Sequence, residues 1–555
     1  MKMKEKRQLI ENNIGNLSSK GQLDEYKSIQ NEDTTNLNDF SAYSVEDEIA
    51  LLTMLNTLKL KEQFYRTEGD QLSSLRDLVY KVGMKDPYLL AQMIVYSRCM
   101  GEGMRAVNHV AAALAAPFIS GKPYAKAFYG LFDKTKKQGG CIFRTDDMTE
   151  IKDAYNAMTS KSLSNAMKKG FAEALVNLDA YQLTKYKKTV IDIANLVHPD
   201  IKKSKAVAMI DGEQCNVIDA IINGKQISAN TWEVNQSEAG QVVSRALKSG
   251  AISEDEAEKL LVEAKSENWK SLIENNELGI IAALRNVNNI LSVVDDDSTI
   301  DKLCVLLTDV NTIKKNLVLP IYFDLAYTVL TENRIENASK VKEAITKGYE
   351  LSIPNLKEIL KGNTCVIIDN SGSMHDYVHI QNMTLSFNST NSCAYKAGLI
   401  AATIAKATDA TVIRFGSSAS IVQYDKNDNL FDLAKHFGKY NMGCTDLSSA
   451  FELITRNNMK FDRIIILSDN EINAGDFGSK YYKNYVLKVC SPYVYTVDLA
   501  AYGTTPVKGN KVKILAGYGP ALYESIKENE FDAISALDKV RKVVIDPAYV
   551  PETSM

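Results

Sequence analysis

Several motifs that would identify an enzyme are absent from this sequence. Its eight cysteines never form a Cys-x-x-Cys pair, which argues against a zinc ribbon or a thioredoxin-like redox centre. No Gly-x-x-x-x-Gly-Lys-Ser/Thr loop occurs, so nucleotide hydrolysis by a P-loop has no support. No serine or cysteine nucleophile has a recognisable base nearby, and the carboxylate-rich cluster of a two-metal nuclease is missing. We therefore predict a protein that is not an enzyme.

Long apolar runs and a strong overall charge are also lacking. No stretch reaches the roughly 18 apolar residues of a membrane span. The basic start is followed by polar residues instead of the apolar core of a secretory signal. Scattered cysteines without a signal are typical of reduced thiols, so we expect a cytoplasmic monomer without a membrane partner. The net charge of −4 gives no overall basic signal for a nucleic-acid partner.

The 555 residues divide by pattern into four parts. Residues 1–40 are polar and predict a flexible or loosely docked arm. Residues 41–355 show helical periodicity, and 360–545 alternate strands with helices, which predicts a doubly wound, mostly parallel sheet. Residues 546–555 form a polar tail. The predicted fold class is therefore α plus α/β. Predicted helices of the first module are 88–98, 106–115, 162–177, 254–265, 278–291 and 319–330, with Gly170 and Gly250 as helix ends or kinks and Ser253 with Glu256 as a capping box.

Two buried strands of the second module end in carboxylates. The apolar run 366–368 leads into Asp369, Ser371 and Ser373, and a second run, 464–467, leads into Asp469. A further hydroxyl, Thr445, stands in a Gly-flanked loop. Parallel strands bring their C-terminal ends to one edge of the sheet, and carboxylate and hydroxyl oxygens suit a hard cation. We predict one Mg²⁺ or Mn²⁺ at these five residues. The alternative is that they only cap helices and satisfy loops.

Histidines offer few other metal sites. His375 and His379 are four residues apart, as zinc ligands on a helix are, but no glutamate follows the first, so a surface pair is the favoured interpretation. His109 lies among alanines and is interpreted as a satisfied core histidine.

Positive charge is concentrated in one segment. Residues 121–210 hold 16 Lys and Arg against 9 Asp and Glu, a local +7, which leaves about −11 for the rest of the chain. A basic stripe with an interleaved tyrosine suits a phosphate backbone. A solvated helical face is the equally favoured alternative. Candidate RNA-binding residues are Lys136, Lys137, Lys185, Lys187, Lys188 and His198, and the spacing predicts that Lys185 and Lys188 share one helical face.

Several segments carry a resemblance to a known family. The five oxygen ligands resemble the metal-ion-dependent adhesion site (MIDAS) of von Willebrand factor A domains. The segment Tyr181–Lys187, with His198-Pro199 after it, is similar to the basic helix and histidine-proline step of the TROVE module. Leu278–Asn286 looks like the "ALLRNL" helix of that module, and Ser468–Glu471 looks like its "TDNET" metal loop. The order of these segments resembles the Ro autoantigen family, which joins a TROVE module to an A domain.

The resemblance implies a fold and a function. It implies a ring of HEAT-like helical repeats closed by the A domain, and a ribonucleoprotein that binds small non-coding Y-like RNA and single-stranded 3′ ends of misfolded RNA. It also implies a link to RNA decay or processing through an exoribonuclease. The segment between Lys188 and His198 is shorter than its counterpart in the animal members of the family, so this chain departs from the family pattern there. The alternative function is a protein-interaction module, in which the metal captures an acidic partner and the helices serve as a platform.

Overall fold

The computed structural model describes residues 20–549 except for short interruptions. The interruptions are residues 59, 61–62, 64, 211–212, 226–242, 245, 248, 250, 317, 319, 334–337, 354–359, 381–382, 388–391, 476–477, 518–519 and 533–534. The chain divides into two compact units. Unit 1 comprises Met1–Phe143, Asp147–Gly170 and Asn355–Met555, and unit 2 comprises Arg144–Asp146 and Phe171–Pro354.

The helices of the described residues follow one another along most of the chain. They are α1 (Lys20–Ser28), α2 (Asp47–Thr57), α3 (Glu68–Lys85), α4 (Pro87–Cys99), α5 (Ala106–Leu114), α6 (Ala116–Ile119), α7 (Ala125–Phe128), α8 (Asp147–Thr159), α9 (Asn165–Asn177), α10 (Ala180–Lys185), α11 (Lys187–Val197), α12 (Val217–Ile222), α13 (Glu254–Glu274), α14 (Ile280–Leu291), α15 (Asp297–Thr308), α16 (Val310–Lys315), α17 (Pro320–Glu332), α18 (Ser339–Ser352), α19 (Cys393–Thr408), α20 (Leu430–Phe437), α21 (Leu447–Arg456), α22 (Gly478–Lys488), α23 (Pro520–Lys527) and α24 (Ala536–Arg541). Within the described part of the chain, none of them has the length and apolar content that a membrane crossing requires.

The strands form one large sheet and several small ones. They are β1 (Thr34–Thr35), β2 (Ser41–Ser44), β3 (Phe132–Asp133), β4 (Gln138–Gly139), β5 (Val207–Ile210), β6 (Glu213–Asn216), β7 (Thr364–Asp369), β8 (Asp376–Ile380), β9 (Met383–Phe387), β10 (Thr411–Phe415), β11 (Ala419–Ile421), β12 (Arg463–Ser468), β13 (Tyr493–Asp498), β14 (Thr504–Thr505) and β15 (Val512–Ala516). The six-stranded sheet has the order β11-β10-β7-β12-β13-β15, with β11 antiparallel and the other five parallel.

The central strands β7 and β12 are buried along their whole length. Their apolar, β-branched residues fit this position, because helices cover both faces of a parallel sheet. Ile367 pairs with Ile413 on one side and with Ile466 on the other, so the C-terminal ends of β7, β10 and β12 lie at one edge. The predicted doubly wound α/β fold behind a helical module is confirmed. The predicted closed ring of repeats stays a prediction.

Of the two predicted alternatives for the arm, residues 20–40 are docked rather than flexible, and residues 1–19 lie outside the described part. The side chain of Gln22 donates a hydrogen bond to the carbonyl of Val486 (2.5 Å), and the buried carboxylate of Glu25 accepts one from the hydroxyl of Tyr482 (2.9 Å). The strands β1 and β2 form a small sheet with β14, a strand of the second module. A polar composition had concealed this docking, although its few apolar residues Ile29, Ala42 and Tyr43 are buried.

Helix α2 also packs with the second module. Leu52 and Asn56 line a small cavity of about 40 Å³ together with Leu515 and Ala516 of β15. Unit 1 therefore includes the first helices as well as the A-type domain, so the helical module predicted as residues 41–355 is divided between the two units.

In unit 2 the helices pack against one another in pairs: α14 against α17, α15 against α18, and α17 against α18. The capping box at the start of α13 is confirmed: Ser253 and Glu256 satisfy each other's backbone amides. The strands β5 and β6 pair in antiparallel fashion, an arrangement that helical periodicity had not indicated.

Gly170 was predicted to end or kink a helix. In the structure it lies inside α9. A Cβ there would meet the Tyr129 Cβ at 2.6 Å and the Lys126 carbonyl at 2.7 Å, so the glycine permits close packing. The predicted role of Gly250 lies outside the described residues. The second module ends in two helices, α23 and α24.

Candidate metal centre and nucleic-acid interface

The five predicted metal ligands come from three loops at one edge of the large sheet. Asp369 ends β7, Ser371 and Ser373 stand in the turn that follows, and Asp469 follows β12 directly. The loop that carries Thr445 joins this edge because the amide of Gly372 donates to the carbonyl of Gly443 (2.9 Å). The sheet therefore brings together residues that are up to 100 positions apart in the chain.

Hydrogen bonds hold the first turn in a fixed geometry. The amide of Ser371 donates to Oδ1 of Asp369 (2.9 Å), and the hydroxyl of Ser468 donates to Oδ2 of the same carboxylate (2.5 Å). The hydroxyls of Ser371 and Ser373 lie 3.4 Å apart. Two strands thus orient one carboxylate, and two hydroxyl oxygens stand beside it.

Buried carboxylates crowd this edge. Burial raises the pKa of Asp369, and burial together with the charge of Asp369 raises the pKa of Asp469 to about 7. Burial and the charge of Asp469 raise the pKa of Glu471 to about 8. Each shift records the cost of holding negative charge away from water beside other negative charge. A divalent cation would remove that cost.

Buried oxygen atoms without a hydrogen-bond partner provide a second test of whether these residues could bind a metal ion. Oγ1 of Thr445 and Oδ2 of Asp469 are buried and make no hydrogen bond to the described residues. Buried oxygens without a partner are unusual, since each lost hydrogen bond costs about 1–3 kcal/mol. Both atoms belong to predicted ligands, so the residues present fit a hard cation. Among the described residues, no three His, Cys, Asp or Glu side chains group as a metal site, so the hydroxyls would be essential to the site.

The docked N-terminal segment donates hydrogen bonds to the loop after β12 at the same edge of the sheet. Sequence reasoning had missed this contact. The amide of Leu37 and the side chain of Asn38 donate to Oε2 of Glu471 (2.9 and 3.2 Å), and the side chain of Asn36 donates to the carbonyl of Ile472 (2.6 Å). Tyr65 is half-buried, and burial raises the pKa of its hydroxyl. No local sequence signal marks these contacts.

Asp498 was also missed, although a signal for it existed. It ends β13, next to β12, just as Asp369 ends β7. Its Oδ1 accepts hydrogen bonds from the amides of Ala500 (3.0 Å) and Ala501 (2.7 Å), and burial raises its pKa to about 7. Its bonds to the 500–501 loop give it a role in shaping this edge.

His375 was predicted to belong to a pair of surface histidines, but the structure shows otherwise. It is buried, and its Nδ1 lies 3.0 Å from the carbonyl oxygen of Ser371. The segment after it is the strand β8, so the helical spacing considered for His375 and His379 does not occur. His375 supports the metal loop through the backbone.

The predicted RNA-binding residues of unit 2 lie around a break between two short helices. Lys185 ends α10, Tyr186 has φ −115° and ψ 42°, and Lys187 starts α11. The prediction that Lys185 and Lys188 share one helical face is therefore wrong, because the helix is interrupted between them. Lys185 and Lys188 are nevertheless exposed, and Lys187 is half-buried.

An exposed tyrosine accompanies these lysines. Tyr181 is 52% exposed, and Nζ of Lys185 lies 5.8 Å from the centre of its ring. Tyr186 is held differently: Arg144 donates a short hydrogen bond to its hydroxyl and lies over its ring. An exposed ring beside an ammonium group is a platform for a base and its phosphate, and sequence reasoning had not assigned this role to Tyr181.

His198 is exposed and ends α11 in the left-handed conformation, with φ 48° and ψ 63°. The histidine therefore ends the helix before Pro199, and its ring remains accessible. Lys136 and Lys137 are exposed in the β3–β4 turn of unit 1, and Lys136 lies 3.8 Å from Asp133. They belong to a different compact unit from Lys185 and His198.

Comparison with known proteins gives three similarities. Residues 363–483 match the family model for the Ro60 vWA domain. The chain is 24% identical over 218 residues to the RNA-binding protein RO60 of Caenorhabditis elegans, a match that covers 38% of this chain and 32% of that protein. It is also similar to the crystal structure of the Deinococcus radiodurans RO (RSR) protein, with a TM-score of 0.53 and 16% identity over 87% of this chain and all of that one. The last similarity concerns the fold.

Proposed function

We propose that this chain is an RNA-binding scaffold of the Ro type, a proposal supported by its similarity to the Ro60 vWA domain and to the RO60 protein of C. elegans. In this proposal it holds small structured non-coding RNA and single-stranded 3′ ends of misfolded RNA without cutting them. The name of the C. elegans relative, an RNA-binding protein, supports the first part. The single observation that carries it is the exposed ring of Tyr181 with the ammonium group of Lys185 beside it. Together with Lys188 and His198, which are also exposed in this segment, these residues are here called the 181–198 surface.

The chemistry of the 181–198 surface fits RNA. The ammonium groups of Lys185 and Lys188 would contact phosphates, which supplies affinity without sequence choice. The ring of Tyr181 would stack on an unpaired base, an interaction open to single strands and loops but not to a stacked duplex. The accessible ring of His198 would add a hydrogen bond to phosphate or a second stacking contact. Lys136 and Lys137 would form a separate phosphate contact.

The metal site is the second part of the proposal. Mg²⁺ or Mn²⁺ would be held by the hydroxyls of Ser371, Ser373 and Thr445, with the carboxylates of Asp369 and Asp469 bound directly or through water. When bound, the ion supplies positive charge and a coordination position for an oxygen ligand. Ser468 orients Asp369, and His375 supports the turn that carries the two serines. An exoribonuclease or another acidic protein is the proposed partner there, which would link bound RNA to decay or processing.

RNA binding is tested by titrating the purified protein with a folded small RNA and an unstructured strand at several salt concentrations. If six to ten phosphates are neutralised, affinity should fall by roughly 10³ to 10⁵ between about 50 and 200 mM salt. Incubation of the same RNAs with the protein should leave them intact. Absence of measurable affinity for either RNA at low salt would overturn the proposal, and cleavage by clean protein would overturn its non-enzymatic part.

A further inference from the structure

Three tyrosine side chains are exposed among the described residues: Tyr80, Tyr181 and Tyr440. Tyr181 belongs to the 181–198 surface and has one cation beside its ring. Tyr440 has two, because Cζ of Arg414 lies 4.9 Å and Nζ of Lys439 lies 5.3 Å from its ring centre. Tyr440, which is 48% exposed, is therefore a second accessible ring with cations beside it, and it belongs to the A-type domain.

The charge beside this ring is not balanced by nearby acidic residues of the same segment. Residues 433–445, which carry both the ring and the lysine, contain no Asp or Glu. Arg414 lies on β10 and directly precedes Phe415, which pairs with Asp369 of β7. Its Nη1 is buried and makes no hydrogen bond to the described residues. The two cations thus give this part of the sheet edge a positive surface suited to an anionic ligand.

The loop that carries Tyr440 is held in place by backbone hydrogen bonds to the turn after β7. The amide of Met442 donates to the carbonyl of Asn370 (2.7 Å), and the amide of Gly372 donates to the carbonyl of Gly443 (2.9 Å). The loop is therefore fixed before a ligand binds, which lowers the entropy cost of binding.

We propose that Arg414, Lys439 and Tyr440 form a second binding site for single-stranded RNA, here called the Tyr440 platform. A base stacks on the ring of Tyr440, and the two cations contact the adjoining phosphates. A carboxylate of an acidic protein would use only the two cations, whereas a base with its phosphates uses all three side chains. Stacking is open to every base, so the platform selects single strands and not a sequence.

This inference rests on the proposed RNA binding and adds a separate site to it. The Tyr440 platform belongs to unit 1, whereas the 181–198 surface belongs to unit 2. Substitutions in one site therefore leave the side chains of the other unchanged, and the two sites can be tested independently.

The first test is cross-linking of the full chain to an oligouridylate of about ten nucleotides that contains 4-thiouridine. Irradiation links the thiouridine to the protein groups that it contacts, and mass spectrometry identifies the linked peptides. Cross-links should occur both in residues 181–198 and in residues 439–444. Those in 439–444 should persist in Lys185→Ala with Lys188→Ala. Tyr440→Ala should remove them, whereas Tyr440→Phe, which keeps the ring, should retain them.

Affinity for the same strand is the second measurement. In the background of Lys185→Ala with Lys188→Ala, adding Tyr440→Ala should weaken binding about 5- to 150-fold, the effect of one lost stacking contact. Lys439→Ala should reduce the salt slope by about one. Tyr80→Ala is the matched control, because this ring is 58% exposed but has no Lys or Arg over it within the described part of the chain. Its affinity should not change. Thermal unfolding confirms that each variant is folded.

The outcomes separate the Tyr440 platform from the proposed function. A wild type without affinity for any RNA at low salt overturns both. A wild type that binds RNA, with cross-links in 181–198 alone and unchanged affinity in Tyr440→Ala, overturns only the platform. An oligoglutamate peptide of equal charge is the competing ligand and should bind more weakly than the strand. Tighter binding of the peptide, lost in Lys439→Ala, would assign these residues to an acidic protein and overturn the RNA site.

Discussion

Asp147 and His109 form a buried pair in unit 1, with His109 Nε2 3.0 Å from the carboxylate of Asp147. Arg98 donates to both oxygens of the same carboxylate (2.8 and 2.9 Å), and the amide of Phe143 adds a further bond (2.9 Å). The other ring nitrogen of His109 lies 2.5 Å from Glu150. His109 is therefore the satisfied core histidine that was predicted, and it joins α5 to α8.

Replacement of Asp147 by alanine should destabilise the protein strongly. The change leaves the buried guanidinium of Arg98 without its partner, and breaking a buried pair costs about 3–5 kcal/mol. The free energy of unfolding in urea measures the effect. Asp153→Ala is the matched control on the same helix, since its pair with Lys152 is exposed and should contribute about 1 kcal/mol or less. Equal stabilities of the two variants would contradict the assignment.

Stability should fall as pH rises above about 6.5, because of His109. Burial acts to lower the pKa of His109, but its hydrogen bonds to Asp147 and Glu150 raise it above the usual value. The folded protein then binds a proton that the unfolded chain has released, so this contribution is complete below pH 6.5 and is lost as pH passes the folded pKa. Unfolding free energies from pH 6 to 9 measure it. His109→Gln should have a flatter profile, and a profile as steep as that of wild type would count against the prediction.

Asp369→Ala should abolish Mg²⁺ and Mn²⁺ binding while the fold persists. The variant removes the carboxylate that Ser371 and Ser468 orient. In wild type, ion at about 100 times its dissociation constant should stabilise the fold by about 2.7 kcal/mol, and chelation should remove that gain. Calorimetric titration and thermal unfolding measure both effects. Asp462→Asn is the control and should bind metal normally, because Asp462 precedes the N-terminal end of β12, whereas the proposed ligand Asp469 follows its C-terminal end. Unchanged metal affinity in Asp369→Ala would exclude this site.

Lys185→Ala combined with Lys188→Ala should weaken binding of every RNA and reduce the salt slope by about two. Both ammonium groups are exposed and contact phosphate without base selection in the proposed mode. The control is Lys314→Ala with Lys315→Ala, an exposed pair at the end of α16 in the same unit. Titration against the folded RNA and the unstructured strand compares the variants. Wild-type affinities would place the RNA surface elsewhere, with Lys136 and Lys137 as the next candidates.

Tyr181→Ala should weaken the unstructured strand by about 1–3 kcal/mol, the usual cost of a lost stacking contact. His198→Ala should weaken the preferred small RNA more than the generic strand. The same titrations separate the two effects from a loss of charge, since neither variant should change the salt slope. A reduced slope in Tyr181→Ala would mean that the lysines, not the ring, had been disturbed.

Strand ends and loop oxygens were predictable because they depend on local sequence. The apolar runs of β7 and β12 indicated buried parallel strands, and such strands bring Asp369 and Asp469 to one edge. The break at Tyr186 was not predictable, since lysine spacing alone suggests one continuous helix. The bond between Arg144 and Tyr186 at that break joins residues 42 positions apart.

The sequence by itself determined the order of a helical module and an A-type α/β domain, and the types of oxygen ligand at the sheet edge. Periodicity and strand-terminal residues carry that information over a few neighbouring positions. The tertiary structure alone decided that residues 20–44 dock on the A-type domain and that the ring of Tyr65 packs against that of Tyr502. These contacts join residues more than 300 positions apart through single hydrogen bonds and one ring contact. Such contacts depend on how distant surfaces pack, so no local pattern records them.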